Sequence, residues 1–206
     1  MNKKVLFAVL SVVLIGLLVG AFFIYDELYE DYTDSNFQMQ TVDKDENKND
    51  GTAPEPEQKH EQEHEQERTD NMVPDVEFYD ADGNAVMLSD FFDKPLVLNF
   101  WATWCGPCKS EMPGFDRLYD KYKDKVNFVM LNVSDSEETV ADFIKENGFG
   151  FPVYFDKTQI ASYTFGASSI PLTFVMYKGG EIYGYQMGVL PEEALEEAMK
   201  TVITEE

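Results

Sequence analysis

The chain has 206 residues, enough for one domain plus attachments, and a net charge of −23. Such acidity excludes nucleic acid as a partner, because nothing could neutralise a run of phosphates. The only two cysteines, Cys105 and Cys108, stand two residues apart, which excludes a four-cysteine zinc site.

Residues 5–24 are almost unbroken apolar residues, interrupted by Ser11, Gly16 and Gly20. At about 1.5 Å per residue, a helix over them reaches roughly 30 Å, the thickness of a bilayer's hydrocarbon core. Lys3 and Lys4 precede the run and Asp26, Glu27, Glu30 and Asp31 follow it. The positive-inside bias places the N-terminus in the cytoplasm and everything after Tyr25 outside. Val19-Gly20-Ala21 could serve as a signal-peptide cleavage site, but the run continues through Phe22, Phe23 and Ile24, which favours an uncleaved anchor over residues 1–25. Either way the remainder lies where disulfides persist.

Residues 26–71 carry sixteen acids and four bases, with few aliphatic side chains. They are expected to form a disordered, self-repelling linker, since they cannot bury enough apolar surface to offset ordering entropy. His60 and His64 are four apart within an acidic near-repeat; a solvated linker is expected there and no bound metal.

Residues 72–206 have globular patterning. Val76–Tyr79 and Asn84–Leu88 flank Asp80-Ala81-Asp82-Gly83 and predict a hairpin. Ser89 is expected to cap a short turn through Phe92. Pro95–Trp101 predicts a buried central strand, with Trp101 in the core. Helical periodicity follows over Cys105–Lys123, with Phe115, Leu118, Tyr119 and Tyr122 on one face and Pro113 expected to kink it. Val126–Val133 predicts a second buried strand, Glu137–Asn147 a helix stopped by Gly148, Pro152–Phe155 a short strand and Thr158–Phe165 a short helix. Leu172–Tyr177 and Glu181–Gln186 predict strands joined at Lys178-Gly179-Gly180, and Pro191–Val202 a final amphipathic helix. The alternation implies an α/β fold with a mixed sheet covered on both faces.

The chemistry lies in Cys105-Gly106-Pro107-Cys108. A thiolate is the nucleophile of disulfide exchange, and a helix N-terminus lowers a cysteine pKa from near about 8.5 through its free amides and dipole. Cys105 is expected to be the exposed attacking sulfur and Cys108 the more buried resolving one. Gly106 lets a partner backbone approach, and Pro107 suits a first turn. Trp104 offers a flat apolar surface beside Cys105.

The run Asn99-Phe-Trp-Ala-Thr-Trp-Cys-Gly-Pro-Cys-Lys-Ser-Glu-Met-Pro113 resembles the active site of thioredoxin-fold proteins. More narrowly it resembles the extracytoplasmic, membrane-tethered TlpA-like or ResA-like thiol–disulfide oxidoreductases. The likeness takes in Val73-Pro74-Asp75, Leu88-Ser89-Asp90-Phe91 and Ile170-Pro171. It implies a thioredoxin-like three-layer fold, an N-terminal hairpin, a redox disulfide between Cys105 and Cys108, and a cis peptide at Pro171 that leaves the Ile170 backbone free for a partner segment. Cytoplasmic thioredoxin has a buried aspartate where this chain has Asn99. Here Glu111, three residues after Cys108, resembles the TlpA-like pattern and could take the proton of Cys108. The likeness also implies exported protein thiols and disulfides as substrates, possible action on apocytochrome c, and a membrane thiol reductase as electron donor. No cofactor is expected, and since the sequence gives no sign of oligomerisation a monomer is expected. Alternatives are a disulfide-donating oxidant, a non-catalytic thiol-dependent binding module, and a thiol peroxidase. The last needs Pro and Thr or Ser where Leu98 and Ala102 stand.

Overall fold

The structure, a computed structural model, describes residues 39–41 and 72–204. The expected membrane anchor (1–25), most of the acidic linker, and His60 and His64 lie outside the described residues. No helix among the described residues is long and apolar enough to cross a membrane.

The described strands are β1 (Gln40–Thr41), β2 (Glu77–Tyr79), β3 (Ala85–Met87), β4 (Leu96–Trp101), β5 (Asn127–Asn132), β6 (Val153–Phe155), β7 (Leu172–Met176) and β8 (Ile182–Met187). The α-helices are α1 (Gly106–Tyr122), α2 (Glu137–Asn147), α3 (Ile160–Thr164) and α4 (Glu192–Thr204). The strands form one sheet in the order β1-β8-β7-β4-β5-β6-β2-β3. β4 pairs parallel to β5 and antiparallel to β7, so the sheet is mixed.

β4 reads Leu-Val-Leu-Asn-Phe-Trp and is buried along its whole length, as a strand covered on both faces must be. Its alternation sends Leu96, Leu98 and Phe100 into a core with Phe78, Leu88, Leu131 and Ala161 of α3. The opposite face carries Asn99, bonded to Glu111 of α1, and Trp101, packed at a tilt against Phe143 of α2. α4 joins that layer through Arg117–Glu192 and Lys121–Glu196 pairs with α1. Both faces are covered, as expected, but unevenly: α1, α2 and α4 lie on one side, while α3 and the segments around β2 and β3 cover the other.

The hairpin turn is built by Asp80, whose carboxylate accepts from the Asp82 and Asn84 amides while Gly83 takes φ 83°. α2 has the expected limits because Ser136 accepts from the Thr139 amide and Gly148 takes the left-handed stop. α1 runs on through Pro113.

Three expectations are corrected. Ser89 does not cap the turn after β3. It sits within a 3-10 helix (Leu88–Phe91), and both its amide and its hydroxyl donate to Asp75, at 3.0 and 2.8 Å. The helix after β6 starts at Ile160 rather than Thr158, because the buried Asp156 carboxylate takes the Ala161 and Ser162 amides. The stretch expected to be a disordered linker contributes β1, antiparallel to β8. A local composition reading misses β1 because its partner lies far along the chain.

Leu98 is 1% exposed, so Leu98→Ala should cost about 2–5 kcal/mol in denaturant unfolding. Ser136→Ala, which removes the α2 cap and the exposed hydroxyl bond to Thr139, should cost about 1 kcal/mol.

Candidate active site

β4 delivers the chain to the carboxyl end of the sheet, where Ala102–Cys105 turn into α1. The turn is held from below: the Asp135 carboxylate accepts the Thr103 amide at 2.7 Å and the Asn132 side chain at 2.8 Å. Asn132, at the end of β5, in turn accepts the Ser134 and Asp135 amides. Trp104 donates its indole N–H to Ser134 Oγ at 3.0 Å and remains 65% exposed, a fixed flat surface beside the dithiol.

Cys105 is the N-cap of α1, in extended conformation, and its sulfur accepts the Cys108 amide at 3.1 Å. Pro107 occupies the first turn, where no intrahelical N–H is required. Cys105 and Cys108 form a disulfide with Cα atoms 5.3 Å apart. Cys105 is 4% exposed and Cys108 fully buried. The expected order holds, but the expected open exposure of Cys105 does not, because Ile170 covers it: Cys105 Sγ lies 3.8 Å from the Ile170 carbonyl oxygen. The Ile170–Pro171 peptide is cis. Gly106 and Pro107 are exposed on the outer side of the disulfide. The structure thus brings Trp104, Cys105, Gly106, Pro107, Cys108, Ile170 and Pro171 together.

Glu111 lies one turn below Cys108 on α1 and is only 6% exposed. Its two oxygens are held separately. Oε1 accepts from Asn99 Nδ2 at 3.0 Å, and Oε2 accepts from the Leu190 amide at 2.9 Å. Asn99 also donates to Thr173 Oγ on β7 at 2.9 Å. Burial away from water pushes the Glu111 carboxyl up to about 8, while the Leu190 amide and Asn99 pull it back only in part. At neutral pH the carboxyl therefore holds its proton while the disulfide is closed.

Sequence reasoning noted Asn99 only as a missing aspartate and overlooked Thr173, Leu190, Ser134 and Asp135. The alternation of β4 was the available signal, since it puts Asn99 on the α1 face. The Leu190 contribution is a backbone N–H and has no side-chain signature. Sequence reasoning also overlooked Met187 and Val189, exposed apolar residues on either side of Gly188, whose amide bonds the Pro171 carbonyl at 2.8 Å. Among the described residues no cluster of three or more potential metal ligands occurs.

Glu111 has a sign-definite effect on stability. Between its ordinary value of 4.5 and about 8 the folded oxidised chain keeps a proton that the unfolded chain has released. Stability is full below that window, falls through it by up to roughly 1.4 kcal/mol per pH unit, and levels off above it. Denaturant unfolding of oxidised protein across this range should show the decline, and Glu111→Gln should flatten it.

Comparison with known proteins agrees with this geometry. The sequence profile of the AhpC/TSA family matches residues 69–184. The thiol-disulfide oxidoreductase ResA of Bacillus thuringiensis (strain Al Hakam) is 35% identical over 131 residues, covering 63% of this chain and 76% of that protein. ResA of Geobacillus kaustophilus is 32% identical, covering 63% and 75%. The crystal structure of StoA from Bacillus subtilis is similar with a TM-score of 0.54 at 28% identity, over 62% of this chain and 98% of that one. The profile spans more than half of the sequence, so the chain belongs to the AhpC/TSA family, and within its thioredoxin fold it is a ResA-like thiol–disulfide oxidoreductase.

Proposed function

We propose that this oxidoreductase works as a reductant of disulfides in exported proteins, held at the outer face of the cell membrane by residues 1–25. The observation that carries the reading is a cysteine pair at a helix N-terminus above a buried carboxyl held by Asn99 and the Leu190 amide. In the reduced enzyme, the Cys105 thiolate attacks one sulfur of a partner disulfide. A bond forms between Cys105 and that sulfur, and the other partner sulfur leaves as a thiolate that takes a proton from water. Cys108 then gives its proton to the Glu111 carboxylate and attacks Cys105 Sγ. The mixed disulfide breaks, its partner sulfur leaves as a thiolate that also takes a proton from water, so the partner is released as a dithiol and the enzyme holds the Cys105–Cys108 disulfide. The two electrons have passed to the partner.

A carboxyl titrating near 8 suits this exchange, since its proton affinity approaches that of a thiol. In the reverse half-cycle a donor thiolate attacks Cys105, Cys108 leaves as thiolate and Glu111 returns its proton. The donor's second thiolate then attacks the donor sulfur of the mixed disulfide, Cys105 leaves as thiolate, and the donor holds the disulfide. The Ile170 backbone beside Cys105 offers N–H and C=O groups to an extended partner segment, and Trp104 offers it an apolar rest.

Gly-Pro between the cysteines is the thioredoxin pair, and thioredoxin at about −270 mV is a reductant. A reductant outside the cytoplasm needs a supply of electrons, so a membrane thiol reductase is proposed as donor. Apocytochrome c is the proposed representative substrate. The apolar run 5–24 after two lysines supports the anchor and a single pass with the catalytic domain outside.

Cys108→Ser should trap partners as mixed disulfides that reductant releases, whereas Cys105→Ser should trap none; equal trapping would overturn the roles. The reduction potential should fall near or below roughly −250 mV, and a value near roughly −120 mV would reverse the direction. In single-turnover reduction of insulin, Glu111→Gln should slow the resolving step by on the order of a hundredfold.

A further inference from the structure

β8 has two sides. One pairs with β7 over Leu172↔Met187 to Met176↔Ile182. The other would be an open edge, and an open edge is a template for any extended chain. The hazard is acute here, because β8 ends at Met187 and the adjoining Gly188 amide bonds Pro171, in the loop that covers Cys105. An unfolded partner could pair along β8 a few residues from the dithiol, at the wrong place for exchange.

In this chain the middle of that edge is occupied, at two of the six residues of β8. β1 lies antiparallel on it, with Gln40 opposite Tyr185 and Thr41 opposite Gly184. Gly184 is the seat. A Cβ at this position would stand 2.8 Å from the Gln40 carbonyl oxygen and 3.1 Å from Met39 Cγ and Sδ. A side chain there would meet backbone, which cannot give way as a flexible tip would. Glycine inside a strand weakens it unless another backbone must come close, and β1 is that backbone. Gly184 has an extended rather than a left-handed conformation, so no turn requires it. The chain returns to the same hairpin at Met72, which bridges Glu181, and at Val73, whose amide reaches the Gly180 carbonyl at 3.4 Å.

We propose that residues 39–41 are an intramolecular strap, seated on the β8 edge through Gly184, that keeps extended partner segments off this edge and leaves the Ile170 backbone as the pairing site. The exclusion half of this rests on the proposed role of Ile170; the seating of the strap does not. β1 is only two residues long, enough to end the edge without offering a new one.

Seating is tested on the full chain in detergent, with no partner present. In a Cys105→Ser/Cys108→Ser background, Gln40→Cys with Tyr185→Cys should form an intramolecular disulfide on mild oxidation, while Gln40→Cys with Lys178→Cys should not. By hydrogen exchange, residues 39–41 should be protected roughly tenfold or more over free chain, and Gly184→Val should remove that protection while insulin reduction persists. Exchange of 39–41 at free-chain rates in the wild type, or equal cross-linking in both pairs, would overturn the strap. Exclusion is tested with insulin trapped on Cys105 in Cys108→Ser. With Gln40→Pro/Thr41→Pro added, insulin should newly protect the β8 amides; with the strap intact it should not. No insulin protection of β8 in either protein would overturn the exclusion while leaving the seating result standing. Loss of insulin protection at Ile170 alone would instead count against the reading of that backbone.

Discussion

A carboxyl cannot be buried beneath a dithiol without partners, and the partners of Glu111 come from distant parts of the chain. Asn99 lies twelve residues before it on β4, and Leu190 lies seventy-nine residues after it, just ahead of α4. Thr173 on β7 anchors Asn99 in turn. Holding these groups requires β4 between β5 and β7, α1 across the sheet face, and α4 packed on α1. The α1–α4 ion pairs are exposed and contribute little energy, so they register the helices more than they stabilise them. Positioning of the site therefore rests on the apolar packing beneath it.

The same burial sets the chemistry. A solvated carboxyl would be ionised at neutral pH and would oppose thiolate formation above it. Desolvation instead keeps the carboxyl neutral while the disulfide is closed, so that a proton is held beneath the cysteine pair. The two hydrogen bonds it accepts favour the ionised form, so the group stays within reach of deprotonation. Interacting ionisable groups titrate together, so in the proposed exchange the protons of Cys108 and Glu111 form one system. The outer half of the site has the opposite character: Trp104, Gly106 and Pro107 are exposed. In the proposed cycle a partner meets this outer surface while the proton passes to the buried carboxyl.

What could be read from the chain follows the range of each interaction. The Asp80–Asn84 turn, the limits of α2 and the dithiol at a helix start depend on neighbours a few residues apart, and the sequence patterns locate them. Glu111 was legible as a candidate because three residues on a helix is one turn. Its environment was not, since Asn99 looked like an absence and Leu190 acts through its backbone. Ser89 was misassigned because its partner, Asp75, lies fourteen residues away. β1 was hidden by its acidic surroundings, and the residues it pairs with, Gly184 and Tyr185, lie on the far side of the domain sequence. The exposure of Cys105 was overestimated because Ile170, which covers it, enters from the end of a distant loop.

The central claim is that Glu111 is a buried, proton-holding partner of the dithiol. The most direct measurement is the titration of that one carboxyl in the oxidised protein, by difference infrared spectroscopy of the carboxylic C=O stretch or by carbon-13 NMR of a labelled glutamate, with Glu111→Gln identifying the signal. A midpoint near 8 is expected. A midpoint near the ordinary 4.5 would mean the carboxyl is already ionised under the closed disulfide, and would contradict the account.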